Sequence, residues 1–247
     1  KLALAEIRPV AVAALRFLVA LAILWPLARW RGGPPAPLRV TLPLGLLGVA
    51  LTFLLQNLGL ARTSATNASL LQGVVPALTL VLAAVVLGER LGPWRLGAVG
   101  AAMAGVAAVT LSGGGAPGPP GWGDALVLAS TGCFAAFVVL GRRAFPAYGT
   151  LPVLAGMTAW GAAALLPLAA LEWWLVRPAA IGLGQLPLVV YLGVGCSALT
   201  YALWGYALRH MEAGRAATFD ALIPLVGVLT AALVLREAPS AWHALGG

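Results

Sequence analysis

The chain has 247 residues, of which 61% are hydrophobic and only 9% charged, and it carries a net charge of +8. Its mean hydropathy is +0.97, and soluble domains carry about 25% charged residues, so the composition excludes a soluble domain folded around one core. The arginines are dispersed in short loops between apolar runs and not gathered on one basic face. That distribution argues against a nucleic-acid partner and is typical of membrane topology.

Eight apolar runs, most of them near 20 residues long, match the length that a helix needs to cross a bilayer. Glycine, proline and arginine residues separate these runs. The predicted spans are 9–28, 40–60, 66–87, 93–111, 123–141, 152–175, 186–208 and 214–235, and a ninth run begins near Ser240. The sequence therefore predicts an all-α membrane protein embedded in the lipid bilayer.

The glycine- and proline-rich segment SGGGAPGPPGWG, between Leu111 and Asp124, is the predicted linker. We predict a first domain over 1–112, a linker over 113–121 and a second domain over 122–247. The segment resembles a phosphate-binding loop only in its glycine content, because it lacks the GK[ST] ending and a preceding strand. No nucleotide site and no other cofactor site is predicted.

A long stretch of the first half recurs in the second half. PALTLVLAAVVLGE at 76–89 returns 148 residues later as PLVGVLTAALVLRE at 224–237. Ala-Leu-Thr at 50–52 returns at 198–200 with the same spacing, and no gap is needed anywhere over 38–94. This internal repeat is the strongest fold signal in the sequence.

The two copies lie five spans apart, and an odd number of crossings inverts the second copy in the membrane. Inverted repeats are typical of transporters whose solute site lies near the midplane. The span at 123–141 is the first helix of the second copy, and its counterpart would precede Lys1. We therefore expect two inverted five-helix repeats. The expected protein has ten helices, and this chain lacks the first helix and most of the last.

The positive charges predict the orientation of the spans. Nine arginines lie in loops on one side, against five basic residues on the other. The nine are Arg29, Arg31, Arg39, Arg90, Arg95, Arg142, Arg143, Arg209 and Arg215. The positive-inside rule places these loops in the cytoplasm, and we expect a multi-pass protein of the cytoplasmic (inner) membrane. Cys133 and Cys196 lie inside apolar runs without partner motifs, so neither a disulfide nor a metal site is predicted.

Three segments resemble the drug/metabolite transporter superfamily, in its EamA-domain family. They are LARTSATNASLLQGVVPALTLVLAAVVLGERL at 60–91, ALRHMEAGRAATFDALIPLVGVLTAALVLREAP at 207–239 and RPVAVAALRFLVALAILWPLA at 8–28. The resemblance implies ten helices with both termini cytoplasmic. It also implies transport of small organic solutes, often outward, by alternating access.

Pro76 and Pro224 open the two copies of the repeat inside predicted helices. A proline there frees the carbonyl four residues earlier, which belongs to Gln72 and Asp220, themselves repeat partners. Such kinks persist in membranes where they face protein or a water-filled cavity. We predict that Gln72 and Asp220 lie at paired kinks. Gln72 would line the solute path or make an interhelical hydrogen bond.

Asp220 is the strongest single candidate, because a charge within a span is costly and must be paired, hydrated or protonated. It would contact a cationic solute or couple protons, or it would be a structural partner of a hydroxyl, an amide or a buried arginine such as Arg16.

Phe53 and Gln56 in one repeat correspond to Tyr201 and Trp204 in the other, and each pair shares a helix face. Together with Asn57 they would hold an organic cation or an aromatic solute, or they would fill gaps between helices.

Other charged or small residues suggest structural roles. Arg16 would snorkel to the interface, Asp124 would cap a helix, and Glu172 would lie at the interface beside two tryptophans. Small residues at 97, 101 and 105 allow close helix contact, either within the monomer or in a homodimer.

Three classes of function compete. No HExxH motif, intramembrane aspartate pair or Ser/His constellation is present, so an intramembrane enzyme is not expected. A non-transporting receptor or assembly factor could be built on the same fold. The sequence favours a secondary transporter (permease or exporter) of a small amino-acid-like, drug-like or other metabolite, driven by the solute gradient or by protons.

Overall fold

The computed structural model describes residues 7–31, 33–88, 92–94, 97, 99–101, 104–105, 121–176 and 182–235. Every regular element in these residues is a helix. Seven helical stretches are long and apolar enough to cross a membrane: Pro9–Arg31, Leu38–Leu60, Ala65–Leu87, Trp122–Tyr148, Thr150–Val176, Leu186–His210 and Ala213–Thr230. They coincide with seven of the eight predicted spans. The remaining span, 93–111, lies largely outside the described residues, and the run from Ser240 lies entirely outside them.

Irregular turns divide several spans into shorter α-helices. The α-helices are α1 Pro9–Arg31, α2 Leu38–Gly45, α3 Thr52–Leu60, α4 Ala65–Gln72, α5 Val75–Leu87, α6 Trp122–Tyr148, α7 Thr150–Val176, α8 Leu186–Gly193, α9 Thr200–His210, α10 Ala213–Ala217 and α11 Leu222–Leu235. Leu46–Leu51 and Val194–Leu199 are π-helical, and Leu183–Gln185 and Thr218–Ala221 are 3₁₀-helical.

The two π-helical turns lie 148 residues apart, as do the α-helices that precede them. A threonine follows each turn as the first residue of the next α-helix, and its hydroxyl donates a hydrogen bond to the carbonyl five residues earlier. Thr52 Oγ1 donates to the Leu47 carbonyl at 2.6 Å, and Thr200 Oγ1 donates to the Gly195 carbonyl at 3.0 Å. The repeated Ala-Leu-Thr triplet therefore encodes the same local structure twice, with the hydroxyl bonded to a π-turn carbonyl.

The chain divides into two compact units, each taking one segment from each half of the sequence. Unit 1 comprises Lys1–Asn57 and Leu140–Met211, and unit 2 comprises Leu58–Val139 and Glu212–Gly247. Each is described by itself below.

In unit 1 the long helices α1 and α7 pack along each other, α2 packs on α7, and α8 packs on α1. Glycines allow the last two contacts. A Cβ on Gly45 would lie 2.4 Å from the Met157 carbonyl oxygen, and one on Gly193 would lie 2.9 Å from the Arg16 carbonyl oxygen. Only glycine permits backbones to approach this closely. The two glycines are themselves 148 residues apart.

In unit 2 two interrupted helices pack against each other, α4 on α11 and α10 on α5. Gly73, in the interruption between α4 and α5, faces the ring of Pro224, since a Cβ there would lie 2.7 Å from Pro224 Cγ. Gly227 faces Ser69 in the same way, at 2.3 Å from its Cβ. These contacts bring the two interruptions together within the unit.

Candidate functional site

Unit 1 contains a cluster of three aromatic rings. Phe17 of α1 packs edge-on against Phe53 of α3, with ring centroids 4.9 Å apart, and against Tyr201 of α9 at 6.1 Å. Phe53 and Tyr201, which are repeat partners, lie 6.4 Å apart. The structure therefore brings two of the predicted residues together, with Phe17 as an additional member that the sequence did not indicate.

Hydrogen bonds within unit 1 anchor Tyr201 and Asn57. The buried Tyr201 hydroxyl donates to the Gly48 carbonyl in the first π-helical turn. The buried Asn57 amide donates through Nδ2 to the Pro9 carbonyl at 3.0 Å. Gln56 and Trp204, their neighbours on α3 and α9, are half-buried.

Arg16 lies at the aromatic cluster. Its guanidinium Nε donates to Ser197 Oγ at 2.8 Å, and Nη2 donates to the Cys196 carbonyl at 2.8 Å. Cζ lies 4.1 Å from the centroid of the Phe53 ring. With only 8% of its surface exposed, Arg16 does not snorkel to the interface as the sequence predicted. The second π-helical turn holds it because irregular backbone there offers acceptors within a span.

In unit 2 the predicted kinks coincide with interruptions of the helix. α4 ends at Gln72, residues 73–74 form a turn, and α5 restarts with Pro76 as its second residue. In the other copy the 3₁₀ turn Thr218–Ala221 precedes α11, where Pro224 is the third residue. A proline in a first helical turn lacks an N–H that would have had no intrahelical partner. Each proline thus starts a new helical segment.

Asp220 lies in that 3₁₀ turn and is 7% exposed. Its Oδ2 is buried and has no hydrogen-bond partner in the described residues. The same is true of Thr79 Oγ1. The 3₁₀ turn packs against α5, which carries Thr79. Buried polar atoms without partners are rare and mark an unseen water, ion, ligand or catalytic role.

The sequence did not single out Thr79, although a signal was present. The residue is a lone hydroxyl in an apolar run, three positions after Pro76 and therefore on the same helix face. Gln72, which was singled out, is half-buried and donates through Nε2 to the Ala68 carbonyl at 3.3 Å, one turn back on its own helix.

Two other acids have structural partners in their own units. In unit 2, Asp124 accepts hydrogen bonds from Thr63 Oγ1 at 2.5 Å and from Asn67 Nδ2 at 3.5 Å. In unit 1, Glu172 accepts from the backbone N–H groups of Val10 and Ala11 at 3.5 and 3.1 Å. Glu172 therefore caps the N-terminus of α1, a more specific role than interfacial placement.

Unit 1 also has two cavities at helix ends, of about 300 and 340 Å³. The first is lined by residues that include Trp25 and Arg29, and the second by residues that include Arg39, Arg143 and Tyr148. Neither cavity includes a predicted site residue. The described residues contain no group of three or more His, Cys, Asp or Glu side chains that could hold a metal.

A family model described as "EamA-like transporter family" matches residues 1–111 and again residues 121–247. The chain belongs to this family. With seven candidate spans in the described residues, this EamA-family chain is a multi-pass membrane protein, and the resemblance drawn from the sequence is confirmed.

Relatives of this EamA-family chain are named as transporters. It is 30% identical to an uncharacterised transporter of Archaeoglobus fulgidus, over 100% of this chain and 86% of the relative. It is 30% identical to the "probable terminal-alkyne amino-acid exporter" of Streptantibioticus cattleyicolor, over 82% and 67% of the two chains. It is 27% identical to the "probable amino-acid metabolite efflux pump" of Escherichia coli, over 100% and 84%.

The fold also resembles that of a protein whose crystal structure is known. The TM-score is 0.71 at 25% sequence identity, and the similarity covers 97% of this chain and 85% of the other.

Proposed function

We propose that this chain is a secondary transporter that exports a small amino-acid-like or related organic metabolite across the cytoplasmic membrane by alternating access. Membership of a transporter family and two relatives named for amino-acid or amino-acid-metabolite export support this proposal. No enzymatic step is proposed, since the relatives are named as transporters.

The proposed architecture is a pair of inverted five-helix repeats over 1–112 and 122–247, joined by the linker at 113–121. Two family matches, one in each half, support it. So do the π-helical turns and hydrogen-bonded threonines that recur at the 148-residue spacing. In transporters of this kind, rocking of one repeat against the other exposes a site near the midplane to each side in turn.

The proposed mechanism depends on the buried carboxyl group of Asp220. Its Oδ2, which has no partner among the described residues, lies on a turn that packs against α5, and α5 carries Thr79 with a second oxygen of this kind. A carboxyl group within a span is expensive and is usually functional. Asp220 and Thr79 would receive an ammonium group of the solute or a coupling proton, with Gln72 at the neighbouring helix interruption. As a separate proposal confined to unit 1, Phe53, Tyr201 and Trp204 would contact an apolar or aromatic group of a solute, and Gln56 would offer it a hydrogen bond.

The test is solute flux in proteoliposomes containing the full chain. Amino acids, organic cations and nucleosides are first screened for thermal stabilisation of the protein, and each stabilising solute is then assayed for flux with and without an imposed pH gradient. Asp220→Asn should reduce flux at least about tenfold, the range of a lost charge-assisted contact, and should remove any response to the gradient.

Asp124→Asn is the matched control, because it neutralises another buried acid of unit 2 whose oxygens already have partners in Thr63 and Asn67. It should lower stability but leave flux per folded protein nearly unchanged. Equal flux in wild type and Asp220→Asn would reduce Asp220 to a structural residue. Ligand binding without flux of any solute would favour a receptor or assembly factor instead.

A further inference from the structure

Among the described residues of unit 1, Arg16 is a buried cation without an acidic partner. The one acid in the described residues of unit 1 is Glu172, and its oxygens accept from the N–H groups of Val10 and Ala11. Arg16 lies six residues further along α1 than Val10, which is about 9 Å at 1.5 Å per residue. The groups that contact the guanidinium, Ser197, the Cys196 carbonyl and the aromatic rings, are neutral. The described residues of unit 1 therefore supply no negative charge to Arg16.

The contacts of Arg16 occupy one edge of the guanidinium, and the other edge has no acceptor among the described residues. A guanidinium carries five N–H groups in a planar fork. Nε and one N–H of Nη2, which form the side edge, donate to Ser197 Oγ and the Cys196 carbonyl. In the described residues, the two N–H groups of Nη1 and the second N–H of Nη2 have no acceptor. One N–H of Nη1 and the second N–H of Nη2 form the end edge, whose two parallel N–H bonds match the two oxygens of a carboxylate.

The acceptors on the side edge are themselves fixed. Ser197 donates its own hydroxyl proton to the Leu192 carbonyl at 2.9 Å, so a lone pair of Oγ is directed to Arg16. Phe53 lies under the guanidinium, with Cζ 4.1 Å from the ring centroid, and Gly193 allows α8 to approach the Arg16 backbone. The arginine is held in one orientation before any ligand binds, and such preorganisation lowers the entropic cost of binding.

We propose that the end edge of Arg16 binds the carboxylate group of the transported solute. The proposal rests on the proposed transport function and narrows it to solutes that carry a carboxylate. An anion would compensate a charge that is costly within a span, and the aromatic cluster of Phe17, Phe53 and Tyr201 would contact an apolar part of the solute.

The test measures binding of two probes to the full chain in lipid nanodiscs. The probes are 3-phenylpropionate and its neutral analogue 3-phenylpropanamide, which differ in the group that Arg16 would bind. In the wild type the Kd for the carboxylate should be at least about tenfold lower than that for the amide. The carboxylate is an anion whose two oxygens match the parallel N–H bonds of the end edge, whereas the amide offers one neutral oxygen. In Arg16→Gln the ratio should fall to about one.

Arg142→Gln is the control, since Arg142 is a second arginine of unit 1 and donates to the Leu208 carbonyl at 3.1 Å near the end of α9. It should keep the tenfold discrimination. If Arg16→Gln does not fold, Ser197→Ala decides, because it keeps the arginine and removes the Nε acceptor. It should weaken carboxylate binding severalfold and leave amide binding unchanged.

Three results would overturn the proposal: equal affinity of the wild type for both probes, binding of neither probe, or full discrimination in folded Arg16→Gln or in Ser197→Ala. Flux measurements separate this proposal from the transport function. If the chain moves solutes but binds both probes equally, the carboxylate-site proposal is wrong and the transport proposal stands. If Arg16 makes the chain prefer the carboxylate probe but no solute is moved, the transport proposal is wrong and the carboxylate site stands.

Discussion

In unit 1 the helices become irregular at two π-helical turns, and side chains of the same unit bond to the polar groups there. Tyr201 donates to Gly48, Arg16 donates to Cys196 and Ser197, and two threonines bond back along their own helices. In unit 2 the helices are interrupted at Gly73–Val74 and at Thr218–Ala221. There, two buried oxygens, on Asp220 and Thr79, have no partner in the described residues.

The two units differ in whether the polar groups at their helix irregularities have hydrogen-bond partners in the described residues. Non-helical backbone at membrane depth is tolerated only when its polar groups are satisfied by protein or by water in a cavity. In unit 1, side chains of the same unit bond to carbonyls of both π-helical turns, and these bonds give the turns a structural explanation. In unit 2, Asp220 Oδ2 and Thr79 Oγ1 have no hydrogen-bond partner among the described residues. Buried polar atoms of this kind are expected at functional sites, where local structure is not optimised for stability alone.

The largest expected effect concerns helix packing. Gly45→Ala in unit 1 places a Cβ 2.4 Å from the Met157 carbonyl oxygen, a backbone atom that cannot move without shifting its helix. Gly73→Ala in unit 2 places a Cβ 2.7 Å from Cγ of the Pro224 ring, which is a side-chain atom. Overpacking costs about 1–3 kcal/mol. We expect Gly45→Ala to lower the free energy of unfolding by about 3 kcal/mol and Gly73→Ala by about 1 kcal/mol, as measured by titration with SDS.

The control for both is Gly132→Ala, since Gly132 is helical and no atom of the described residues lies within 4 Å of its added Cβ. It should be neutral or stabilising by up to about 1 kcal/mol from helix propensity. Equal losses at Gly45 and Gly73 would mean that the crossing in unit 2 is as rigid as that in unit 1.

The second effect is a change in the free energy of unfolding that has opposite signs when two buried threonines, Thr52 and Thr79, are replaced by valine. Thr52 in unit 1 donates to the Leu47 carbonyl, so Thr52→Val should lower the free energy of unfolding by about 0.6 kcal/mol, the mean for hydrogen bonds between membrane helices. Thr79 Oγ1 in unit 2 has no partner in the described residues. Thr79→Val removes an unsatisfied hydroxyl and should raise the free energy of unfolding by about 1 kcal/mol, while solute flux falls.

Thermal unfolding of both variants, each beside the wild type in the same detergent, measures the comparison. A loss of stability in Thr79→Val would show that a water molecule or another partner already satisfies the hydroxyl in the resting protein. The distinction between the two units would then disappear.

Much of this fold was predictable because hydrophobic run length and the 148-residue repeat act over whole spans. Span ends are set by Gly, Pro and Arg, so the seven described spans agree with prediction to within a few residues, except α6, which continues to Tyr148. The proline positions also indicated where helices would be interrupted. What local pattern could not show was the partner of each polar side chain, since Arg16, Ser197 and Phe53 meet only through packing of helices far apart in sequence.

The smallest expected effect concerns the carboxylate of Glu172, a charged group of unit 1 that has hydrogen-bond partners. Glu172 of α7 accepts from the N–H groups of Val10 and Ala11 at the N-terminus of α1, where a negative charge interacts favourably with the helix dipole by about 0.3–1 kcal/mol. Glu172→Gln keeps an acceptor oxygen and removes the charge, so it should cost about 0.5 kcal/mol. Glu172→Asp keeps the charge but shortens the reach. SDS titration of both variants at low and high salt distinguishes the two contributions, because salt screens the dipole term and leaves the hydrogen bonds. If Glu172→Asp loses stability and Glu172→Gln does not, the contact depends on hydrogen-bond geometry, and the negative charge of Glu172 does not contribute to the free energy of unfolding.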